Sequence, residues 1–350
     1  MDLHTLQITW FGLIAVLWTG YLVLEGFDFG VGMLLPFLGR NDTERRVLIN
    51  TIGPVWDGNE VWLITAGGAT FAAFPLWYAT LFSALYLPLL LVLVALILRG
   101  VAFEYRGKID DDRWRARWDA AILFGSTVPA LLWGVAFGAI LQGVDEKDIT
   151  NTPWHVLLGA LRPYPLLTGA TTLLLFCLHG ALFLSLRTTG ELHGRARATA
   201  RRLAPPAVAV AAVWALWTQL EHGAGWTWGP VALAAAGLLG ALLLTRCEND
   251  GKAFALTCLV IVCAVVTIFG SLYPAVLPIN GGTDLTVENA SSTELTLQIM
   301  TGVAVIFTPV VVAYQSWTYW VFRYRVGITD IPPSTGLAPF GRPRSSRTSA

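Results

Sequence analysis

The sequence predicts an all-α integral membrane protein with about nine transmembrane helices. Of its 350 residues, 55% are hydrophobic and 13% are charged, whereas a soluble domain carries roughly 25% charged residues. No Asp, Glu, Lys, Arg or His occurs between Val61 and Leu98. The basic residues gather in alternate polar segments. Together these features predict a chain that crosses the bilayer many times.

Hydrophobic runs separated by polar clusters predict where the helices lie. A helix needs about 20 apolar residues to cross the hydrocarbon core of a bilayer. The predicted spans are 7–37, 50–73, 76–98, 118–142, 163–186, 203–220, 229–245, 254–273 and 297–322. Phe74-Pro75 is predicted to form the turn between the second span and the third. Residues 1–326 are therefore expected to form one transmembrane domain, and residues 327–350, rich in Pro, Ser and Arg, a disordered cytoplasmic tail.

The basic residues predict how the chain is oriented in the membrane. If the N-terminus is outside, 21 of the 23 Lys and Arg residues fall in segments that face the cytoplasm, and Lys147 and Arg162 are the two exceptions. Cytoplasmic loops of membrane proteins carry such an excess of positive charge. The sequence therefore predicts an outer N-terminus and a cytoplasmic C-terminus, which requires an odd number of spans.

Composition and short motifs exclude several classes of protein. The formal net charge of zero argues against a generally basic nucleic-acid-binding protein, so no nucleic acid is expected as a partner. The four cysteines form no C-x-x-C pair and no C-x-x-C-H, which argues against a zinc site, a disulfide framework and covalently attached c-type haem. No phosphate-binding loop, dinucleotide-binding glycine motif or H-E-x-x-H zinc motif occurs either.

Four carboxylates are predicted to lie within the membrane, and they are the strongest functional signal. Glu25 and Asp28 belong to the first span. The run 61–73 has 13 residues, too few to cross a bilayer, so the second helix must begin earlier and include Asp57 and Glu60. Ionisable groups at that depth cost at least about 2.5 kcal/mol each and usually mark a path for ions or protons.

The spacing of these acids predicts that they act together. In each pair the two acids are three residues apart, so they share a face if the backbone is helical. Asp28 and Asp57 lie at similar distances from the inner ends of their spans, roughly 10–14 Å deep in the cytoplasmic half. Burial and neighbouring negative charges both raise the pKa of a carboxyl group. Carboxylates close together in an apolar setting are therefore suited to take up and release protons near neutral pH. Asp57 ranks first among them as a proton carrier.

Three further residues are candidates for the site. Glu104, near the inner end of the third span, is placed to form the entrance of the same path. Arg99 either pairs with an acid or a haem propionate, or extends its side chain to the membrane surface. His179 is the one histidine well inside a predicted span. A haem held by two histidines needs a second at similar depth, so the chain is expected to ligate no haem and His179 to be a hydrogen-bonded core residue.

A series of multi-residue motifs occurs along the chain in a fixed order. They are Glu25-Gly-Phe-Asp-Phe-Gly-Val-Gly32, Gly39-Arg-Asn-Asp-Thr-Glu-Arg-Arg46, Trp56-Asp-Gly-Asn-Glu-Val-Trp-Leu-Ile-Thr-Ala-Gly-Gly68, Arg99-Gly-Val-Ala-Phe-Glu-Tyr-Arg106, Gly134-Val-Ala-Phe-Gly138 with Leu141-Gln-Gly143, Arg187-Thr-Thr-Gly-Glu-Leu-His193 and Leu295-Thr-Leu-Gln-Ile-Met-Thr301. These motifs closely resemble subunit II of the cytochrome bd quinol oxidases, and the resemblance covers nearly the whole chain.

The resemblance implies a bacterial respiratory complex of the cytoplasmic membrane that oxidises quinol and reduces dioxygen to water. It implies two four-helix bundles plus one further helix for this chain, and two b-type haems and one d-type haem held by a partner, subunit I. It also implies that Asp28, Asp57 and Glu104 line a hydrophilic path from the cytoplasm toward the haems. A structural quinone in an apolar groove and small single-span accessory subunits are compatible with it.

The candidate proton-transfer residues are therefore Asp57, Asp28, Glu60, Glu25 and Glu104, and the supporting candidates in the same motifs are Trp56, Asn59, Trp62 and Arg99. Two alternatives remain open. In the first, the chain is a proton-coupled secondary transporter, against which the lack of a visible inverted repeat counts. In the second, it is a structural anchor whose acids only bind backbone or polar neighbours where glycine and proline break the helices.

Overall fold

The computed structural model describes residues 1–146, 161–247, 249–333 and 336–337, and these residues are mostly helical. The helices are α1 (Leu3–Leu38), α2 (Asp42–Ile52), α3 (Trp56–Ala73), α4 (Pro75–Ala84), α5 (Tyr86–Tyr105), α6 (Asp112–Gln142), α7 (Pro163–Arg187), α8 (Gly190–Glu221), α9 (Trp228–Leu244), α10 (Asp250–Leu272) and α11 (Glu294–Val321). Short strands in the connections are β1 (Val144–Asp145), β2 (Ala275–Leu277), β3 (Ile279–Asn280) and β4 (Leu285–Thr286). Lys147 of the predicted outer loop lies outside the described residues.

Most of these helices are long and apolar enough to cross a membrane. Within the described part of the chain, eight meet this condition singly, and the bent pair α3–α4 raises the number to nine if the pair counts as one span. The helical fold with many membrane spans that the sequence predicted is therefore confirmed.

The second span begins later than predicted. Residues 50–52 end the separate helix α2, and α3 begins at Trp56. Phe74 then leaves the helical region with φ −135° and ψ 68°. Pro75, whose ring cannot continue the preceding helix, starts α4. The predicted turn at these two residues is confirmed, and the axes of α3 and α4 differ by 120°.

The predicted third span, 76–98, is wrong because the chain breaks again at Leu85. This residue separates α4 from α5. Pro88 favours the break, since a residue without an N–H is tolerated in the first turn of a helix but not in its interior. The span that follows is α5, which continues beyond residue 98. Arg99 therefore lies inside α5, nearly two turns before its end, whereas Glu104 lies in the last turn, near the end of the span as predicted.

α1 is the central helix, and it packs against α3, α6 and α7. The backbones of α1 and α7 come close together where Gly30 meets Gly180. A Cβ atom added at Gly30 would lie 2.1 Å from the carbonyl oxygen of Phe176, and one added at Gly180 would lie 2.5 Å from the backbone of Gly30. Small residues let the backbones of membrane helices approach this closely. Glu25 and Asp28, in the turns just before Gly30, are consequently buried in the protein interior.

Polar connections gather at the two ends of the helices. At one end, Gln7 Nε2 near the N-terminus donates a hydrogen bond to Ser291 Oγ at 2.7 Å. The backbone N–H of Ser292 donates to the carbonyl oxygen of Ala73 at 2.8 Å. In the connections, β1 pairs with β3 in parallel and β2 pairs with β4 in antiparallel orientation. The end of α3 and the start of α11 therefore lie side by side.

At the other end, the segment after α11 contacts several basic connections. The Val326 N–H donates to the carbonyl oxygen of Arg187 at 2.7 Å, and Arg46 Nη1 donates to that of Pro332 at 2.8 Å. Leu337 exchanges backbone hydrogen bonds of 2.8 Å with Lys108 and Asp110. The start of the predicted disordered tail thus has defined structure, including a 3-10 turn at Ile328–Asp330. Residues 338–350 lie outside the described residues.

α11 is attached to the rest of the chain largely at its ends. In its most apolar 18-residue stretch, 6% of the residues are buried. Near its start, the Trp10 indole N–H lies 3.0 Å from Thr301 Oγ1 and 3.3 Å from the carbonyl oxygen of Leu297. Just past its end, Val326 bonds to the end of α7. Between these attachments most of the α11 surface is apolar and exposed in the isolated chain.

Candidate functional site

A buried arginine pairs with carboxylates from two other helices at the centre of the site. Arg99 of α5 forms an ion pair through Nη1 with Glu25 Oε1 of α1, and neither side chain is exposed. The same Nη1 lies 3.2 Å from Glu60 Oε1 of α3, whose side chain is 23% exposed. One guanidinium therefore connects α1, α3 and α5.

The surroundings of Arg99 fix its position. Its guanidinium carbon lies 4.8 Å from the centre of the Phe29 ring and 5.3 Å from that of Phe103. Cations over aromatic faces are attracted to them, more strongly where water is excluded. Gly125 of α6 lets α5 approach, since a Cβ atom there would lie 2.5 Å from Arg99 Cβ. Arg99 thus does not extend to the membrane surface, and it pairs with acids.

Asp28 completes a group of three acids and one base, which we call the carboxylate cluster: Glu25, Asp28, Glu60 and Arg99. Asp28 lies one turn after Glu25 and is fully buried. Its Oδ2 accepts a hydrogen bond from Asn59 Nδ2 at 2.7 Å. If all three acids were ionised, one guanidinium would leave an excess of negative charge in the protein interior. Because an unpaired buried charge costs several kcal/mol, the cluster can hold exchangeable protons.

Two of the acids lie one turn apart on the same helix. Glu25 and Asp28 are three residues apart on α1, so their side chains share one face of it. Neither Glu25 Oε2 nor Asp28 Oδ1 receives a hydrogen bond from a donor group of the described protein. Two carboxyl groups can bond to each other when one of them carries the proton. Nε and Nη2 of Arg99 also have no acceptor, and buried polar atoms of this kind usually bind ordered water.

Asn59 connects the carboxylate cluster to α11. While its Nδ2 donates to Asp28, its Oδ1 accepts hydrogen bonds from Gln315 Nε2 at 3.0 Å and from the Tyr319 hydroxyl at 2.8 Å. The sequence motifs indicated Asn59 but not Gln315 or Tyr319. The signal that could have found them is a glutamine inside an apolar span, four residues before a tyrosine, which places both on one helix face.

Asp57 and Glu104 lie outside the cluster. Both are exposed, Asp57 in the first turn of α3 and Glu104 in the last turn of α5. The expectation that Asp57 meets Asp28 across the two helices is wrong, because Asn59 occupies that place. Residues two apart on a helix point roughly 200° apart, so a helix that turns Asn59 inward turns Asp57 outward.

The two predicted supporting tryptophans hold α3 against its neighbours. The Trp56 ring lies 5.1 Å from the ring of Phe103, which places the first turn of α3 beside the last turn of α5. The Trp62 ring fills the space next to Gly20 of α1, where an added Cβ atom would lie 2.2 Å from it. Both contacts help to bring Glu60 to Arg99.

Residues 6–322 match a family model described as cytochrome bd terminal oxidase subunit II. The chain belongs to this family. It is 44% identical over 332 residues to the cytochrome bd ubiquinol oxidase subunit 2 of Bacillus subtilis, which covers 93% of this chain and 97% of the relative. It is 39% identical over 374 residues to the cytochrome bd-I ubiquinol oxidase subunit 2 of Escherichia coli, which covers 96% and 99%.

A solved structure shows the same fold. A chain of the bd oxidase from Geobacillus thermodenitrificans superimposes with a TM-score of 0.75 at 17% sequence identity, and the match covers 91% of this chain and 98% of that one. The family match and the two relatives confirm the family named from the sequence motifs, and the chain is a subunit of a bd-type oxidase complex, which implies a subunit I partner.

In this subunit II, His179 is a hydrogen-bonded core residue. Its Nε2 donates to the carbonyl oxygen of Val23 at 3.1 Å, and its Nδ1 lies 2.7 Å from Thr257 Oγ1. Its ring stacks on Phe254 with 4.5 Å between centres. Both ring nitrogens are thus engaged with protein atoms. Within the described residues, no group of three or more His, Cys, Asp or Glu side chains is arranged to hold a metal ion.

Subunit II also contains an apolar cavity of about 590 Å³ between α3, α4, α5 and the core helices α1 and α6. Trp18, Trp77 and Trp133 contribute to its wall. Trp77 is almost fully buried, and its indole N–H has no acceptor in the described protein. The cavity therefore combines an apolar lining with a buried hydrogen-bond donor.

Proposed function

We propose that this chain is the non-haem-ligating subunit of a membrane quinol:oxygen oxidoreductase of the bacterial cytoplasmic membrane. It scaffolds the haem-bearing subunit I and supplies a proton path from the cytoplasm for the reduction of dioxygen to water. The relatives from Bacillus subtilis and Escherichia coli are named ubiquinol oxidases, which supports quinol as the electron donor. Two b-type haems and one d-type haem, assigned to subunit I, supply the electron transfer and the dioxygen chemistry.

The observation that carries the proton role is the composition of the carboxylate cluster. Three acids face a single guanidinium, and two of them, Glu25 and Asp28, are fully buried. A cluster with only a structural task would match its charges, because an unpaired buried charge is costly. An excess of carboxyl groups, two of them one turn apart on the same face of α1, instead fits a site that binds and releases protons.

The proposed path begins at the exposed acids. Trp56 packs on Phe103. Asp57 directly follows Trp56 and Glu104 directly follows Phe103, so the two acids lie in one region, at the same end of α3 and α5. Glu60 lies one turn beyond Asp57 and is the member of the cluster with partial exposure. Protons would therefore pass from the exposed acids to Glu60, and from there to the buried acids of α1.

The proposed topology has an outer N-terminus and a cytoplasmic C-terminus. α3 has 18 residues and is about 27 Å long, close to the thickness of the hydrocarbon core, so it can cross alone and leave α4 at the outer edge. This gives nine crossings. The helices then form a first bundle of α1, α3, α5 and α6, a second bundle of α7–α10, and α11 as the additional helix.

Subunit I is proposed to cover the face formed by α3 and α11. Asp57, Val61, Ile64 and Phe71 are exposed and spaced so that they share one face of α3. α11 continues this face with exposed apolar side chains. Asp57, in the first turn of α3, lies at the cytoplasmic edge of this face. Subunit I would cover the apolar residues beyond Asp57 and leave the carboxylate open to the cytoplasm.

The apolar cavity is the proposed place of the structural quinone that the resemblance allows. Its lining suits an isoprenoid or ring surface, and the Trp77 N–H would donate to a quinone carbonyl oxygen. No step of the dioxygen reaction is assigned to this molecule, whose role would be to fill the cavity and stabilise the break between α4 and α5.

The proton role is tested by Asp28→Asn in the assembled complex, with quinol-driven oxygen consumption as the measurement. The change keeps the acceptor for Asn59 and removes the titratable group. We expect a fall of at least tenfold with haem content unchanged, and no change for the matched control Glu221→Gln, an exposed acid at the end of α8. Full activity of Asp28→Asn would favour the structural-anchor alternative. Purification of the chain without any haem-bearing partner would favour the transporter.

A further inference from the structure

Asn59 is held by three hydrogen bonds from two different helices. Its Nδ2 donates to Asp28 Oδ2 at 2.7 Å. Its Oδ1 accepts from Gln315 Nε2 at 3.0 Å and from the Tyr319 hydroxyl at 2.8 Å. Asn59 is fully buried. The amide therefore links a proton-binding carboxyl group of α1 to two polar side chains of the last helix.

The two bonds from α11 decide which end of the amide faces Asp28. A side-chain amide has an acceptor oxygen and a donor NH₂ group. With both lone pairs of Oδ1 occupied by donors from α11, the NH₂ group points at Asp28 and favours the ionised carboxylate. The reversed amide would point its oxygen at Asp28 and would suit a protonated carboxyl group instead. The α11 donors thus select between two states of the proton site.

We propose that Gln315 and Tyr319 are positioning residues of the proton-transfer site, which fix the Asn59 amide so that it donates to Asp28 and thereby stabilise the charged form of this carboxyl group. The proposal rests on the proton role proposed above for Asp28. Asp28 also interacts electrostatically with other charged groups: Glu25 of α1, Glu60 of α3 and Arg99 of α5. Arg187 of α7 interacts electrostatically with Tyr319.

Helix attachment alone does not account for these bonds. α11 is already tied at its start through Trp10 and beyond its end through Val326. The Tyr319 ring also packs edge-on against Phe27, with 6.4 Å between centres. Replacement of Tyr319 by Phe would keep this ring contact and both attachments, and it would remove only the hydroxyl donor. This makes the hydroxyl testable on its own.

The test is Tyr319→Phe in the complete complex, with Tyr314→Phe as the matched control. Tyr314 lies on the same helix, five residues earlier, and is 65% exposed. Two quantities are measured: the pH profile of quinol-driven oxygen consumption, and the infrared band of the protonated Asp28 carboxyl group, identified as the band that Asp28→Asn removes. We expect the Tyr319→Phe profile to move toward alkaline pH by at least half a unit, about a threefold change in proton affinity, and the band to grow at neutral pH. Tyr314→Phe should match the wild type.

Gln315→Met removes the second donor at similar side-chain length and should move the profile in the same direction. This variant carries the test if Tyr319→Phe assembles poorly. An unchanged profile and band in both variants, beside an impaired Asp28→Asn complex, would overturn the positioning role and leave the proton role intact. A lower melting temperature with an unchanged profile would show that the two residues only hold α11. Full activity of Asp28→Asn would instead remove the proton role itself.

Discussion

Arg99 and Glu25 form an ion pair in which neither side chain is exposed, and the same guanidinium nitrogen lies 3.2 Å from Glu60. Removing one member of a buried pair leaves the other as an uncompensated charge, whereas replacing both by apolar residues is much less harmful. Arg99 is therefore the residue whose loss should disturb the carboxylate cluster most, since three acids depend on one cation.

Arg99→Met should lower the stability of the assembled complex by about 3–5 kcal/mol. The double variant Arg99→Met/Glu25→Met should be more stable than the single one, because it no longer buries an unpaired glutamate. Thermal unfolding of the purified complex checks both statements. Equal melting temperatures for Arg99→Met and the wild type would contradict the pairing, as would a double variant less stable than the single one.

Asp57→Asn should lower quinol-driven oxygen consumption at least tenfold, about 1.4 kcal/mol in the limiting barrier, while haem content stays normal. The physical reason is that Asp57 lies one turn before Glu60 and precedes it on the proposed path. Oxygen uptake by the purified complex is the measurement, with Asp284→Asn, an exposed acid in the connection before α11, as the control. Wild-type uptake in an assembled Asp57→Asn complex would remove Asp57 from the path.

Ile64→Trp should weaken assembly with subunit I. Ile64 is 73% exposed on the α3 face that also carries Asp57, and a bulkier ring in the centre of an interface disturbs its packing. Val213→Trp on α8, 54% exposed, is the control on another face. The haem recovered per subunit II after affinity purification should fall several-fold for Ile64→Trp alone. Equal recovery for both variants would mean that subunit I binds elsewhere.

Glu44 should make stability depend on pH. It accepts a hydrogen bond from the Arg40 backbone N–H at 2.8 Å and pairs with Arg195 Nη2 at 2.7 Å. Burial raises the pKa of Glu44, but the bonds from Arg195 and Arg40 outweigh it, so the net pKa is lowered. A group with a lowered folded-state pKa stabilises above its unfolded pKa, and this contribution is lost as pH falls through the folded pKa.

Glu44→Gln should therefore lower the melting temperature of the complex at pH 7, since α2 loses its charged link to α8. The difference from the wild type should shrink at a pH below the unfolded pKa of a glutamate, about 4.3. Melting curves at several pH values provide the measurement. A difference in melting temperature between Glu44→Gln and the wild type that grew as the pH fell would contradict the stabilising role of the Glu44 charge.

The acids and the spans were accessible from sequence because each leaves a local signal. Glu25 and Asp28 stand out in an apolar run, and a run of 13 residues forces Asp57 and Glu60 into the same helix. The break at Leu85 was missed, since a proline after a hydrophobic run is equally compatible with a continuous span. The direction of each side chain was not accessible either. Only the packing of α3 on α1 shows that Asn59, rather than Asp57, faces Asp28.

The partners of Arg99 and Asn59 could not be predicted for a similar reason. An arginine near a predicted span end can pair with a buried acid or extend its side chain to the membrane surface. Here Arg99 pairs with acids because Gly125 lets α5 approach α6 and the rings of Phe29 and Phe103 hold the guanidinium in place. Gln315 and Tyr319 contact Asn59 across more than 250 residues of sequence. No local pattern specifies such a contact, which follows from where the ends of α11 are attached.

The proposed supply of protons to the dioxygen reaction by the carboxylate cluster can be measured as proton uptake. The fully reduced complex, assembled with subunit I, is mixed with oxygen, and proton uptake is followed with a pH-sensitive dye in the wild type and in Asp28→Asn. We expect uptake at least tenfold slower in Asp28→Asn, with haem content and oxygen binding unchanged. Uptake at the wild-type rate in an intact Asp28→Asn complex would show that the cluster does not supply these protons.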